Sequence, residues 1–244
     1  MRYAILSDIH GNLTALEAVL RDMERQDARQ VICLGDTVGY GPRPNECCEL
    51  LRSLSACVVR GNHDVAAVLP GAEQWFTPAA KACILWTRGR LTPDNREFLA
   101  TLEDTATAAD AHLCHGSLFD PDYYTTTVHD AAASIRQMTL PICLLGHTHY
   151  AEWYVASDRD ALPGQTSAPR GGELVLAPGA LHLVNPGSVG QPRDGNSQAS
   201  YAIWDSDAQR IVVHRVSYNV SATQRQMDEA GLPPSMSERL MIGV

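Results

Sequence analysis

Five short apolar runs between residues 3 and 145 each end in a segment rich in glycine and polar side chains. The runs are residues 3–6, 31–34, 57–59, 111–114 and 142–145, and the segments that follow them read SDIHGN, GDTVGYG, RGNHD, HGS and GHTH. Each run is as short as a buried strand of an α/β sheet. Because ligand sites in α/β folds lie at the carboxyl ends of the strands, we expect the five segments to meet at one rim.

Helical periodicity separates these runs, and strand-like patterns follow them. Asn12 is expected to cap a helix, and the apolar positions of that helix repeat with a helical period at Leu13, Leu16, Val19, Leu20 and Met23. Further helices are predicted over residues 44–54, 78–102, 128–138 and 221–230. From about residue 152 the segments WYV, ELVL, SYAIWD and RIVVHRV predict strands, and residues 164–172 predict a hairpin loop. The pattern favours a single α/β unit over residues 1–244, with two sheets packed face to face and helices outside.

The composition argues against several classes of partner. The 244 residues include 19 basic and 28 acidic side chains, a net charge of −9, without a Lys/Arg cluster. Binding to long nucleic acid or to an anionic membrane requires a basic face, and no apolar stretch approaches the ~20 residues of a membrane span. The seven cysteines form no C-x-x-C motif, and the N-terminal MRYAILSD lacks signal-peptide character. A soluble, reduced, cytoplasmic protein is therefore expected; its oligomeric state stays unassigned.

The polar segments carry side chains that bind transition metals. They supply Asp8, His10, Asp36, Asn62, His63, Asp64, His115, His147 and His149. Residues two positions apart, as in Asp8-x-His10, are expected to point the same way from an extended strand end. Imidazole, carboxylate and carboxamide oxygens together suit Mn, Fe, Zn, Co or Ni. The set is large enough for two ions about 3.5–4 Å apart.

The motifs D-x-H, G-D-x-x-G, G-N-H-D, H-G and G-H-x-H, in this order, resemble those of the calcineurin-like metallophosphoesterase family. Residues 185–195, NPGSVGQPRDG, resemble a segment of its small prokaryotic phosphodiesterase-like branch. The resemblance implies a four-layer α-β-β-α sandwich and two divalent ions, Mn²⁺ or Fe ahead of Zn²⁺, Co²⁺ and Ni²⁺. The first ion would be held by Asp8, His10, Asp36 and His149, and the second by Asp36, Asn62, His115 and His147. His63 would be the catalytic residue, facing the substrate without binding metal.

One segment departs from the pattern of the protein phosphatases in this superfamily. They carry G-D-x-x-D-R-G, in which the second Asp orients the catalytic His and the Arg grips phosphate, whereas this chain has Gly39 and Tyr40 at those positions. What orients His63 is open, with Asp64 as either the orienting group or a helix cap. Substrate-binding residues stay unassigned.

The expected activity is hydrolysis of small phosphodiesters or nucleotide phosphoanhydrides, such as dinucleoside polyphosphates, by attack of a metal-bridging hydroxide. A phosphomonoesterase is the alternative, with a protein phosphatase disfavoured by the missing Asp and Arg. A phosphoesterase fold used only for binding, or a metal-dependent regulator that binds a nucleotide without turnover, is a further alternative. Arg60 and Arg193 are each equally consistent with phosphate binding or with surface charge.

Overall fold

The structure, a computed structural model, describes residues 1–244, and its twelve strands form two six-stranded sheets. In spatial order the first sheet contains β3 (Cys57–Val58), β2 (Gln30–Cys33), β1 (Arg2–Leu6), β11 (Ala199–Asp205), β12 (Arg210–Val216) and β9 (Gly172–Val175). The second contains β4 (Thr105–Ala108), β5 (Ala111–Cys114), β6 (Ile142–Leu144), β10 (Leu181–Pro186), β7 (Ala151–Ala156) and β8 (Gly164–Ser167). Both sheets are mixed: β1, β2 and β3 run parallel, as do β5, β6 and β10, and the other pairs are antiparallel.

Eight α-helices accompany the sheets. They are α1 (Leu13–Arg25), α2 (Pro44–Ser53), α3 (Asn62–Val68), α4 (Pro78–Arg90), α5 (Pro93–Ala100), α6 (Val128–Gln137), α7 (Val220–Glu229) and α8 (Pro234–Glu238). Two short 3₁₀ turns cover Ala72–Trp75 and Arg239–Met241. No helix in the structure combines the length and the apolar character that crossing a bilayer requires.

The main core lies between the two sheets. Side chains such as Ile5 and Ile32 of the first sheet and Leu113 and Leu144 of the second are fully or almost fully buried in one apolar cluster. Separate apolar clusters join α1 to the outer face of the first sheet and α6 to the outer face of the second. The expected sandwich of two packed sheets with helices outside is confirmed.

The first predicted helix forms for the expected reason. The Asn12 side chain accepts a hydrogen bond from the Ala15 amide at 3.2 Å, which satisfies one of the free N–H groups at the start of α1. Leu16, Val19 and Met23 of this helix are buried against the first sheet. Sequence periodicity was sufficient here because the helix buries a single face.

Several local predictions differ from the structure. Residues 78–102 form two helices, because Thr92 caps a new helix at Pro93 by accepting from the Asn95 amide at 3.3 Å. The predicted loop at residues 164–172 contains β8, whose four exposed residues pair with β7 at the sheet edge. The central strand β10, LHLVNP, was missed because its His, Asn and Pro have low strand propensity and only pairing on both sides defines it. The short α3, β4 and α8 were missed as well.

A buried ion pair ties the two sheets together near the end of β12. Asp194 accepts from the Arg215 guanidinium, and the two side chains are 5 % and 4 % exposed. The same guanidinium donates to the Ala168 carbonyl at 3.3 Å, and the Ala151 amide donates to Asp194 at 3.3 Å. Since Ala168 and Ala151 belong to the second sheet's β7–β8 hairpin and Arg215 to the first sheet, this pair joins both layers.

Asp194→Ala should lower the free energy of unfolding by about 3–5 kcal/mol, because it leaves the Arg215 charge buried without its partner. The matched control is Glu173→Ala, which breaks the half-exposed Glu173–Arg210 pair at 3.5 Å and should cost less than about 1 kcal/mol. Chemical denaturation of both variants checks this. Equal losses would show that the buried pair adds nothing beyond a surface pair.

Candidate metal centre

Loops that follow five strands bring the predicted ligands to one place between the sheets. Asp8 and His10 follow β1, Asp36 follows β2, Asn62 and His63 begin α3 after β3, His115 follows β5, and His147 and His149 follow β6. The Asp and His side chains of this set are at most 3 % exposed. Three of the loops come from the first sheet and two from the second. The convergence therefore depends on how the sheets pack.

The side chains converge by a different local geometry from the one expected. Strand β1 ends at Leu6 and β6 at Leu144, so neither pair of ligands two residues apart lies on an extended strand end. Five residues adopt left-handed backbone conformations with φ between 51° and 68°, namely Asp8, His10, Asp36, His147 and His149. Such conformations cost energy for residues other than glycine and concentrate at functional sites. The expectation of an extended strand end was wrong here, although the side chains do meet.

The donor atoms fall into two groups that share one carboxylate. Asp8, His10, Asp36 and His149 offer ligand atoms within 4.8 Å of one another, and so do Asp36, His115 and His147. In the first group His149 Nε2 lies 3.2 Å from Asp8 Oδ1 and 3.1 Å from His10 Nε2. In the second group His115 Nε2 lies 3.4 Å from Asp36 Oδ2 and 3.0 Å from His147 Nδ1. Each group has the size and donor chemistry of a transition-metal site.

Each imidazole of the two groups has a backbone carbonyl on its outer nitrogen. The contacts are His10 Nδ1 to Val38 (3.3 Å), His115 Nδ1 to Leu34 (2.7 Å), His147 Nε2 to Asp122 (3.0 Å) and His149 Nδ1 to Gln191 (2.5 Å). A carbonyl oxygen accepts a hydrogen bond only from a protonated nitrogen, so in the neutral form of each ring the opposite nitrogen carries a lone pair directed into the site. Metal-binding histidines are oriented in this way.

Three oxygen donors remain available to a cation. Ser7 Oγ donates to Asp8 Oδ2 at 2.6 Å, while Asp8 Oδ1 is buried without a hydrogen-bond partner. The His63 amide donates to Asp36 Oδ1 at 2.9 Å, which leaves Oδ2 beside His115. Asn62 Oδ1 is also buried without a partner. Unpaired buried oxygens are costly, and a bound cation satisfies them.

Protonation states in the site also suit a cation. Burial raises the pKa of Asp8, but His149 and His115 outweigh it and hold the pKa below its usual value. Burial lowers the pKa of His147 to about 3. For His115, burial lowers the pKa, but Asp36 and Asp8 raise it to about 10, so this ring is protonated in the absence of a cation and must release a proton to bind one. Ionised carboxylates and neutral imidazoles are the forms that bind metal.

His63 lies beside the two groups and is held by aromatic packing. Its ring centroid is 4.7 Å from that of His10, 4.5 Å from Tyr40 and 4.8 Å from Phe76. Its Nδ1 is buried without a hydrogen-bond partner. A side chain at Gly39 would place Cβ 2.6 Å from this nitrogen, so the position next to His63 has no room for an orienting carboxylate.

Asp64 serves as a helix cap. Its Oδ2 accepts from the Gly61 amide at 3.1 Å, and its Oδ1 accepts from the Val38 amide at 3.1 Å. Burial and the negative charge of Asp36 raise the pKa of this carboxyl to about 7. Of its two readings, the structure supports the cap, which fixes the start of α3 and thereby the backbone of His63.

Side chains of residues 185–195 form hydrogen bonds with two of the loops that carry the predicted site residues. Asn185 Nδ2 donates to the Gly146 carbonyl at 2.7 Å and to Thr148 Oγ1 at 2.9 Å. Ser188 Oγ donates to the Asp8 carbonyl at 2.8 Å. The left-handed backbone of both loops is thus held by hydrogen bonds from one segment.

A cavity of about 490 Å³ opens beside the two groups and is lined in part by Asn62, His63 and His147. Arg193 lines it too, whereas the Arg60 guanidinium pairs with Asp104 at 2.6 Å and lies outside it. Sequence reasoning missed most of the other lining residues, among them Trp75, Phe76, Tyr124 and Arg239. They stand in no motif, so no sequence signal distinguished them.

Comparison with known proteins identifies the family. Residues 1–209 match the calcineurin-like phosphoesterase superfamily domain. The chain is 34 % identical over 244 residues to protein MJ0912 of Methanocaldococcus jannaschii, covering 98 % of this chain and 97 % of that one. It is 26 % identical over 227 residues to the phosphodiesterase YfcE of Escherichia coli, covering 87 % and 91 %.

A solved structure shows the same similarity in three dimensions. The metallophosphoesterase of Sphaerobacter thermophilus superposes with a TM-score of 0.91 at 40 % identity, covering 100 % of this chain and 99 % of that one. With the fold, the buried donor groups and the family match in agreement, the chain belongs to the calcineurin-like phosphoesterase superfamily and is a metal-dependent phosphoric ester hydrolase.

Proposed function

We propose that this enzyme binds two divalent ions and hydrolyses small phosphodiesters or nucleotide phosphoanhydrides. The proposed ligands of the first ion are Asp8, His10, Asp36 and His149, and those of the second are Asp36, Asn62, His115 and His147. The single observation that carries the proposal is the pair of buried donor groups that share Asp36. Mixed imidazole and carboxylate donors suit Mn, Fe, Zn, Co and Ni, and among these we propose Mn²⁺ or Fe first, as the family resemblance implies.

Bound divalent ions supply Lewis acidity, which neutralises phosphoryl oxygens and activates water for attack on phosphorus. Among the chain's own groups, His63 is proposed to donate a proton to the departing oxygen. Burial lowers the pKa of His63 to about 4 in the free site. The negative charge of a phosphate bound beside it raises this pKa and favours the protonated form.

The cavity supports a small substrate over a phosphoprotein. Its volume of about 490 Å³ lies within the range of small-molecule sites, roughly 300–1,000 Å³. Tyr40 occupies the position at which protein phosphatases carry their phosphate-gripping Arg, and its ring packs on His10 and His63. The net charge of −9 disfavours long nucleic acid as a substrate.

The functional unit is proposed to span residues 1–244. Beyond the matched residues 1–209, Met227, Met236 and Leu240 pack against Tyr40, and Met236 lines the cavity. The cytoplasm is the proposed location, because all seven cysteines are free, as in a reducing compartment.

Metal-dependent turnover tests the proposal. After dialysis against Mn²⁺ the protein should contain two ions per chain and hydrolyse bis(4-nitrophenyl) phosphate with a higher kcat/KM than a phosphoserine peptide. Asp36→Asn removes the shared charge, so metal content should fall below two and turnover should drop roughly 100-fold or more.

Asp110→Asn is the matched control, since Asp110 is exposed in the turn before β5, at the other end of the sheet. It should keep both metal and activity. A stoichiometry near one that Asp36→Asn leaves unchanged contradicts the bridged pair, and a preference for the peptide contradicts the substrate class.

His63→Ala should retain both ions, because the proposed ligand set is complete without it, while turnover falls by about 10²–10⁴-fold. The loss should be smaller for a 4-nitrophenyl leaving group, whose oxyanion is stable unprotonated, than for an alkyl alcohol. His129→Ala on the exposed face of α6 is the control and should change neither value. Loss of metal would make His63 a ligand, and equal losses for both leaving groups would make it a phosphate-binding residue instead of an acid.

Gly146→Ala should weaken metal binding, because the new Cβ would lie 1.9 Å from Ser7 Oγ and 2.7 Å from Asp8 Oδ2. The hydrogen bond that orients Asp8 must then break, and overpacking of this kind lowers stability by about 1–3 kcal/mol. The control is Gly89→Ala in α4, where Cβ meets nothing within 4 Å and stability should rise by up to about 1 kcal/mol. Metal content and Tm measured for both variants test this, and equal metal content in the two would refute it.

A further inference from the structure

Two arginines of the cavity lack acidic partners in a strongly acidic protein. Eight arginines form ion pairs with Asp or Glu, and Arg193 and Arg239 are not among them. Arg193 donates to Tyr40 Oη at 3.2 Å and to Gln191 Oε1 at 3.3 Å, while its Nε is buried without a partner. Arg239 donates through Nε to a main-chain oxygen of Val244, the last residue of the chain, and through Nη1 to Met236 Sδ at 3.8 Å. Both guanidinium groups therefore retain donors for a ligand.

The two positive charges lie close enough to affect each other. Burial and the charge of Arg193 lower the pKa of Arg239. Asp122 is the one carboxylate among the lining residues of the cavity. Two guanidinium groups that share a cavity with a single carboxylate leave an excess of positive charge, which a bound anion stabilises, and guanidinium matches phosphate geometry.

Three aromatic side chains line the same cavity. Trp75 is 93 % exposed, and Phe76 and Tyr124 also line the space. Trp75 therefore has almost its whole indole free to contact a molecule in the cavity. Nucleobases of any kind stack on such rings.

An ion pair and hydrogen bonds hold the turn that contains Trp75 in place. Glu73 accepts from the Arg88 guanidinium at 2.7 Å and from the Gly71 amide at 2.8 Å. Arg88 also donates to the Ala66 carbonyl and thereby joins the turn to α3 and α4. Trp75 is therefore presented from a fixed backbone.

We propose that this cavity is a nucleotide subsite in which Arg193 and Arg239 bind a phosphate group beyond the one that is cleaved, and Trp75 stacks on the base. The favoured substrate class is then a nucleoside phosphoanhydride and not a simple diester. This inference rests on the proposed function, because the cleaved phosphoryl group must lie at the adjacent metal centre.

Direct binding to the Mn²⁺-loaded full chain tests the subsite without requiring turnover. Calorimetry compares α,β-methylene-ADP with methylenediphosphonate, which lacks the nucleoside. The double variant Arg193→Gln/Arg239→Gln should bind both probes about 10- to 100-fold more weakly, since charge-assisted hydrogen bonds are lost. Trp75→Ala should weaken only the nucleotide analogue, by roughly 5- to 100-fold.

Two conservative variants in the cavity and one variant outside it serve as controls. Arg193→Lys/Arg239→Lys keeps the charges and should lie between wild type and the Gln variant, because ammonium groups bind phosphate without bidentate geometry. Trp75→Phe should retain most of the affinity. Arg60→Gln changes an arginine outside the cavity and should bind both probes as the wild type does.

The binding results test the nucleotide subsite independently of the phosphoesterase activity. Unchanged affinity of the nucleotide analogue in the double Gln variant or in Trp75→Ala overturns it, as does a wild type that fails to bind the analogue at millimolar concentration. Hydrolysis of bis(4-nitrophenyl) phosphate by that same wild type would leave the proposed function standing. Nucleotide binding without any phosphoesterase turnover would support the subsite and refute the activity.

Discussion

The rest of the site depends on the contacts of one carboxylate, that of Asp36. It belongs to both donor groups, with Oδ1 held by the His63 amide and Oδ2 beside His115 of the other sheet. Its backbone carbonyl accepts from the His10 amide at 2.8 Å, which fixes the loop after β1 against the loop after β2. One residue thus sets the positions of ligands from three strand ends.

Burying so many polar groups is tolerable only because nearly every one has a fixed partner. The four ligand-type imidazoles rest on backbone carbonyls, and the residue 185–195 segment holds the left-handed loops around Asp8 and His147. Asp8 Oδ1, Asn62 Oδ1 and His63 Nδ1 are the polar atoms of the predicted site residues that stay buried without a hydrogen-bond partner. The surrounding hydrogen bonds hold the donor groups in place for a cation.

Aromatic and apolar side chains form much of the cavity beside the donor groups. Tyr40 packs on both His10 and His63 and joins an apolar cluster with Met227 and Met236 of the C-terminal helices. At the two positions where protein phosphatases carry Asp and Arg this chain has Gly39 and Tyr40, and the Arg193 guanidinium, from another loop, contacts Tyr40. Tyr40 and His63 come from the same segments as Asp36 and Asn62, whereas Arg193 and Met236 reach the cavity from other parts of the chain.

The sequence by itself determined the donor chemistry, the strand-end positions of the donors and the sandwich of two sheets. Residues such as Asp36 and His115 could be identified because their residue types, adjacent glycines and preceding apolar runs are local signals. Likewise, α1 follows from its cap at Asn12 and its single apolar face.

Only the tertiary structure decided how these parts meet. The left-handed conformations of His147 and His149, the central strand β10 and the cavity between Trp75 and Arg239 all depend on contacts between distant segments. Local backbone propensity disfavours left-handed histidines and the strand β10, and the residues that line the cavity form no sequence pattern. Packing of one sheet on the other supplies the free energy that overrides propensity, so these features exist only once the chain has folded.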